Sequence, residues 1–390
     1  MPGRVSASAE RHGPRSTPLA VVGVALVLVG LVLTFVLPRH VGGAPDQAVT
    51  ASSERAARPP VRHVFVINIE NKGFSTLWGP HSAAPYLART LRSKGVLLSH
   101  YYGTAHHSLG NYLAQISGQG PDYATQHDCP RYTRFHETRP AAGPGQVVGN
   151  GCVYPKKVGT LAGQLSKAGL SWRGYMEDMS TPCQHPRLGA RDRWQRASTR
   201  SQYATRHNPF VYFQSITGRP AYCKAHVRPL SALTTDLKYA STTRSLSYIT
   251  PDLCHDAHDR RCADGGPGGL RGANTWAKRW IPRILASPAF ARGGVLVITS
   301  DESEGVREDS SACCGEGVGP NAGQPGIEGP GGGRIGALVI SPFSTPGTTT
   351  TRTYNHYSLL GTMEDLFGLR RLGYARTVDH TFGADVFNAS

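Results

Sequence analysis

Short β-branched apolar runs recur along this chain, each closing on polar residues, with helix-periodic stretches between them. Arg62–Glu70 (R-H-V-F-V-I-N-I-E), Ser171–Met176, Leu246–Thr250, Gly294–Thr299 (G-V-L-V-I-T) and Ile335–Ile340 read as strands, most of them continuous enough in apolar character to be buried on both faces. Helical spacing appears over Ala84–Lys94, where Leu87 and Leu91 pair and Gly95 follows, and again after Ser108, where Leu109, Leu113 and Ile116 share a face and Gly118 supplies the stop. Thr160–Gly169, Thr275–Leu285 (Trp276, Trp280, Ile281 and Ile284 on one stripe) and His356–Phe367 (Leu359, Leu360 and Met363) complete the helices. Strands alternating with helices predict an α/β fold, a mainly parallel central sheet flanked by helices on both faces. Pro121–Val158 lacks periodicity and reads as a crosslinked loop region, and the Gly-rich Gly315–Gly333 as a mobile loop without the Lys-Ser/Thr ending of a phosphate-binding P-loop.

The N-terminus changes the picture of where this domain works. Residues 1–18 form a basic tail with Arg4, Arg11 and Arg15. Residues 19–37 carry no charge and are long enough for one bilayer crossing, either a transmembrane anchor or a cleaved signal segment. The basic flank lies on the N-terminal side, which places the remainder outside the cytoplasm. Residues 38–60 read as a flexible linker and 61–390 as the catalytic domain, membrane-tethered or secreted. The chain has eight cysteines, an even number that fits disulfides in an oxidising compartment, and the adjacent Cys313 and Cys314 are expected to take different partners. A formal charge of +16 suits anionic partners such as phosphate esters or acidic lipid surfaces, whereas no nucleic-acid-binding signature is present. Much of that charge lies in Thr181–His207, where Arg187, Arg191, Arg193, Arg196, Arg200 and Arg206 face one acid, Asp192. This run is either a solvated face or a lid over an anionic substrate.

Candidate chemistry gathers where strands end. In parallel sheets ligands bind beyond the carboxyl ends of the strands, and three predicted strands close on acids: Glu70, Asp252 and the Asp301-Glu302 pair. Carboxylates converging on one edge repel one another unless a cation neutralises them, so they point to a divalent metal. Ser108, at a helix N-terminus where free N–H groups favour an anion, is the candidate nucleophile. His255, His258 and His356 could complete a second metal site or act on the leaving group.

The ordered set Ile69-Glu70-Asn71, His106-His107-Ser108-Leu109-Gly110-Asn111, Pro251-Asp252…His255-Asp256…His258, Ser300-Asp301-Glu302 and Asn355-His356 resembles the bacterial phosphoesterase family. That family holds acid phosphatases and phospholipases C with an alkaline-phosphatase-like fold. The resemblance spans roughly Val61 to Phe387. It implies that Glu70, Asn71, Ser108, Asp301 and Glu302, with Asp252, surround one or two divalent metals. It also implies that Ser108 attacks phosphorus, that Asn111 and His107 bind substrate, and that His106, His255, His258 and His356 line the phosphate pocket, oriented by Asp252 or Asp256. The implied activity is a metal-dependent phosphomonoesterase of the acid phosphatase kind, acting on a phosphate ester that includes phospholipid or phosphoinositide headgroups in its range. A phospholipase C-type phosphodiesterase is the alternative, and a catalytically inactive tethered binding protein a third reading. No C-x-P-x-R or S-x-P-x-R segment supports a sulfatase.

Overall fold

A computed structural model of the protein describes residues 59–315 and 318–389. The basic tail, the expected membrane segment and all but the last two residues of the linker lie outside them. Among the described residues no helix is long and apolar enough to cross a membrane.

Among the described residues there are ten strands: β1 (His63–Ile69), β2 (Val96–Tyr102), β3 (His136–Ala142), β4 (Gln146–Asn150), β5 (Trp172–Met176), β6 (Val227–Pro229), β7 (Leu246–Thr250), β8 (Gly294–Ser300), β9 (Ala337–Ile340) and β10 (Thr348–Asn355). Eight form one sheet in the order β10-β2-β9-β8-β1-β7-β5-β6. All its pairings are parallel except those of β9, which runs against both β2 and β8. The expected α/β fold is therefore present, as a mixed and mainly parallel sheet.

Four of the helices matter for the site: α1 (Ser108–Ser117), α2 (Leu161–Lys167), α3 (Gly269–Leu285) and α4 (His356–Leu366). Alternation along the strands sends Val64, Val66, Val295 and Val297 into a core with Leu109, Leu113, Leu161 and Leu359 from α1, α2 and α4. Phe65, Ile67, Leu296 and Ile298 point the other way, against Trp276, Trp280 and Ile281 of α3. Burial on both faces is what lets the central strands be apolar throughout. Gly118 ends α1 at φ +67°, and a Cβ there would meet the Leu372 carbonyl at 2.6 Å, so both the backbone twist and the close approach require glycine.

Three sheet strands were not expected from the sequence. β2 follows a helical turn directly, with only Gly95 as punctuation. β10 (T-T-T-T-R-T-Y-N) is an edge strand with much of its length exposed and therefore carries little apolar signal. β6 has only three residues. The segment read as an irregular crosslinked loop contains the β3–β4 hairpin as well as the Cys129–Cys152 disulfide. Cys183–Cys223 and Cys254–Cys262 close two more loops. Cys313 and Cys314, expected to have separate partners, are bonded to each other. Each of the other six cysteines already has a partner, which leaves these two only one another.

Glu364 on α4 is fully buried and accepts a hydrogen bond from the Leu372 amide at 2.9 Å. Burial pushes its carboxyl from an ordinary 4.5 up to about 9. Between these values the folded chain holds a proton that the unfolded chain has released, so stability falls as pH rises through that window. Glu364→Gln keeps the acceptor and removes the charge. The substituted protein should lose less thermal stability than the wild type between about pH 5 and pH 9, as measured by unfolding midpoints across that range.

Candidate active site

Because seven strands of the sheet run one way, the residues after β1, β2, β7, β8 and β10 emerge at the same edge. Glu70 and Asn71 follow β1, the serine segment follows β2, Asp252 and Asp256 follow β7, Asp301 and Glu302 follow β8, and His356 follows β10. Backbone bonds hold three of these ends in register: the Asp301 amide donates to the Ile69 carbonyl at 2.9 Å and the Glu70 amide to the Asp256 carbonyl at 2.7 Å.

Ser108 is the first residue of α1 and is buried. Its hydroxyl donates to Glu70 Oε2 at 2.8 Å, and the Tyr112 hydroxyl donates to the other oxygen of the same carboxylate. Tyr112 lies four residues along α1 and so shares the helix face of Ser108. Asp301 Oδ1 accepts from the Asn71 amide at 2.9 Å, and Asn71 Nδ2 donates to Glu302 Oε1 at 2.8 Å. His207 stacks on Tyr112 and lies 3.3 Å from both Glu70 Oε2 and Asp256 Oδ2, without the alignment of hydrogen bonds.

The structure thus brings together Glu70, Asn71, Ser108, Asp301 and Glu302, five of the residues expected around a metal, and adds Asp256, His207 and Tyr112. Asp256 was recognisable in the sequence only as an orienting group. Tyr112 was missed, although its i+4 spacing from Ser108 was a signal for it. His207 ends the arginine run in a buried turn that no periodic pattern marks.

Glu70, Asp256 and Asp301 are all inaccessible to solvent. Burial raises the Glu70 carboxyl well above the usual range, and the charges of Asp301 and Asp256 raise it further. Asp256 is likewise raised, chiefly by burial, and Asp301 is pushed up to about 6 by burial against the pull of the Asn71 amide. Asp256 Oδ2, Asp301 Oδ2, Asn71 Oδ1 and both His207 nitrogens are buried without hydrogen-bond partners. Oxygen-rich donors with imidazole nitrogen nearby, buried, mutually repelling and unsatisfied, fit a divalent cation.

The other expected site residues are placed differently. Asp252 does not join the cluster: its Oδ1 lies 3.0 Å from His255 Nδ1, and Glu177, after β5, accepts from the same atom at 3.2 Å. Against the lowering effect of burial, these two carboxylates raise His255 to about 10. The Asp252, Cys254 and His255 donor atoms lie within 4.8 Å of one another, but the Cys254 sulfur is bonded to Cys262 and offers no thiolate.

Asn111 is fully engaged in bracing the serine turn. Its Oδ1 accepts from the Thr104 and Ala105 amides at 2.8 and 3.0 Å, and its Nδ2 donates to the Ala105 carbonyl at 2.8 Å. His106 uses both ring nitrogens, on Glu302 and on the Asp309 carbonyl, so it orients Glu302 rather than facing a ligand. His356 is buried behind the site, donating from Nε2 to the Asp301 carbonyl at 2.6 Å; burial lowers it to about 4. His107 is exposed and bonds the Gln126 carbonyl through Nδ1. His258 is exposed as well, with its Nδ1 2.7 Å from Asp259 Oδ1. The segment expected to be a mobile loop is tied to the site: the Pro325 carbonyl accepts from the His106 amide at 3.1 Å and from Gln126 Nε2 at 3.0 Å.

Residues 80–370 match the Phosphoesterase family. A phosphatidylinositol-3-phosphatase of Mycobacterium tuberculosis (strain ATCC 25618 / H37Rv) is 25% identical over 92% of this chain and 93% of its own length. A phosphate-repressible acid phosphatase of Penicillium chrysogenum is 26% identical over 92% of this chain and 72% of its own. In fold, the PsFucS1 sulfatase of Pseudoalteromonas sp. superposes with a TM-score of 0.50 at 13% identity, covering 89% of this chain and 77% of that one.

Mutual repulsion in the cluster has a consequence for stability. In the presence of chelator, Asp256→Asn removes one buried ionisable group, whose carboxyl burial raises, without changing shape. It should raise the unfolding free energy by on the order of 1–2 kcal/mol. Denaturant titration at neutral pH reads the change.

Proposed function

The chain belongs to the Phosphoesterase family, and from that starting point we propose that it is an extracytoplasmic, metal-dependent phosphomonoesterase of the acid phosphatase kind, alkaline-phosphatase-like in fold, working through a phosphoserine at Ser108. The observation that carries this reading is the Ser108 hydroxyl donating to Glu70 inside a buried, charge-repelling cluster with unsatisfied donor atoms. Four disulfides fit an oxidising compartment.

Glu70, Asn71, Ser108, Asp301 and Glu302 would hold the cation, with Asp256 and His207 close by. Bound there, a divalent ion supplies Lewis acidity and lowers the hydroxyl pKa. Glu70, fixed by Tyr112, takes the Ser108 proton as Oγ attacks phosphorus. The Oγ–P bond forms and the bond from phosphorus to the leaving alcohol breaks in line. His258, at the open side, gives a proton to the departing oxygen and then takes one from the water that hydrolyses the phosphoserine. The Glu70 proton returns to Oγ as the Oγ–P bond breaks. Asn111 holds the Thr104–Ser108 turn so that Oγ keeps its position beside Glu70.

The test compares p-nitrophenyl phosphate with bis-p-nitrophenyl phosphate, with and without chelator. Monoester turnover should dominate, disappear on chelation, and fall by about 10³-fold or more in Ser108→Ala. A preference for the diester would favour the phospholipase C-type reading. Near-wild-type turnover in Ser108→Ala would remove the serine from its role.

A further inference from the structure

At the N-terminal end of α1 lies a cleft of about 640 Å³ lined by Asp128, Arg191, Gln195, Arg196, Arg206 and His258, among others. It is joined to the nucleophile through α1: the Leu109 amide donates to Asp128 Oδ1 at 2.9 Å, and Arg206 Nε lies 3.6 Å from Asp128 Oδ2. Arg206 is buried and spent, since it also donates to the Gln195 carbonyl at 2.6 Å. The acid Asp192 at the same cleft is buried and turned inward, accepting from the Trp194 amide, Gln195 Nε2 and the Thr205 hydroxyl.

Arg191 and Arg196 differ from these. Both are exposed, both line the cleft, and among the described residues neither forms an ion pair. The neighbouring Arg193 instead stacks over Trp194. Two uncommitted guanidinium groups and His258 thus line this open space at the end of α1 that Ser108 begins, while the acids there are occupied. Guanidinium groups recognise phosphate oxygens through paired N–H donors, a geometry that lysine does not reproduce.

We propose that this cleft binds a second phosphate on the leaving alcohol through Arg191 and Arg196. The preferred substrates would then be phosphomonoesters of a polyol that already carries a phosphate, either a soluble sugar bisphosphate or a lipid headgroup. The proposal rests on the phosphomonoesterase reading and gives it a substrate class. Neither arginine belongs to the catalytic cluster, so the double variant Arg191→Gln/Arg196→Gln should keep its turnover of p-nitrophenyl phosphate within about twofold.

The experiment compares wild type and this double variant on p-nitrophenyl phosphate, on fructose 1,6-bisphosphate, and on phosphatidylcholine vesicles containing phosphatidylinositol 3-phosphate. The variant should lose at least about tenfold in kcat/KM on a doubly phosphorylated substrate, mainly through KM, and the loss should shrink with added salt. Loss on the bisphosphate identifies a soluble source, and loss on vesicles alone a lipid one. Equal losses on all three substrates, or none, would overturn the proposal. Calorimetric binding of fructose 1,6-bisphosphate and of the short-chain dibutanoyl phosphatidylinositol 3-phosphate to Ser108→Ala protein reads the cleft without turnover. Weakening of either by about tenfold in the arginine double variant supports the proposal, and unchanged affinity for both overturns it. Arginine-dependent binding in a protein whose wild type hydrolyses no monoester would overturn the phosphatase reading and leave the cleft assignment standing.

Discussion

Three carboxylates, Glu70, Asp256 and Asp301, are buried together at one sheet edge, and their repulsion is the constraint around which the site is built. Burial alone would favour protonating each of them. Backbone amides and hydroxyls oppose this: the Asn71 amide on Asp301, the Ser108 and Tyr112 hydroxyls on Glu70, and the His258 amide on Asp256. Burial outweighs these bonds, so all three carboxyls stay raised, and Asp256 Oδ2 and Asp301 Oδ2 are left without partners. A divalent cation, as proposed above, would offset the repulsion and offer the unpaired oxygens a partner.

The parallel sheet makes the convergence possible. Each carboxylate comes from a different strand end, and the pairing Ile69 with Ser300 puts Glu70 and Asp301 side by side. A second layer then fixes their orientation: His106 on Glu302, His356 under the Asp301 carbonyl, and Asn111 across the serine turn. His106 and Asn111 carry motif positions that invite a ligand-binding reading, yet their polar atoms are spent on the protein. Supporting groups of this kind set the accuracy of a site as much as the residues that touch substrate.

How far the sequence could be read follows from the same physics. Central strands buried on both faces announce themselves by continuous apolar runs, and so β1, β7 and β8 and the acids that follow them were legible. Edge strand β10 and the short β6 lack that signal because water or little partner surface covers them. Ser108 was visible from the helix it opens. His207 was not, because it reaches the cluster from an irregular turn, and the contact with Glu70 spans 137 positions of sequence that no spacing rule covers. Asp252 shared the strand-end argument for a metal role with Glu70 and Asp301, as the first acid after β7. Its Oδ1 instead closes a local turn, accepting from the Cys254 and His255 amides, and the chain advances to Asp256 before it reaches the cluster.

On the reading proposed above, this cluster holds a divalent cation. The most direct measurement is thermal unfolding of chelator-treated protein titrated with zinc, magnesium, manganese and calcium, for wild type and for Asp301→Asn. If the account holds, at least one cation raises the wild-type midpoint, by an amount equivalent to about 2.7 kcal/mol at a hundredfold excess over its dissociation constant, and Asp301→Asn loses that response. A folded wild type indifferent to all four ions, or a response unchanged in Asp301→Asn, would contradict it.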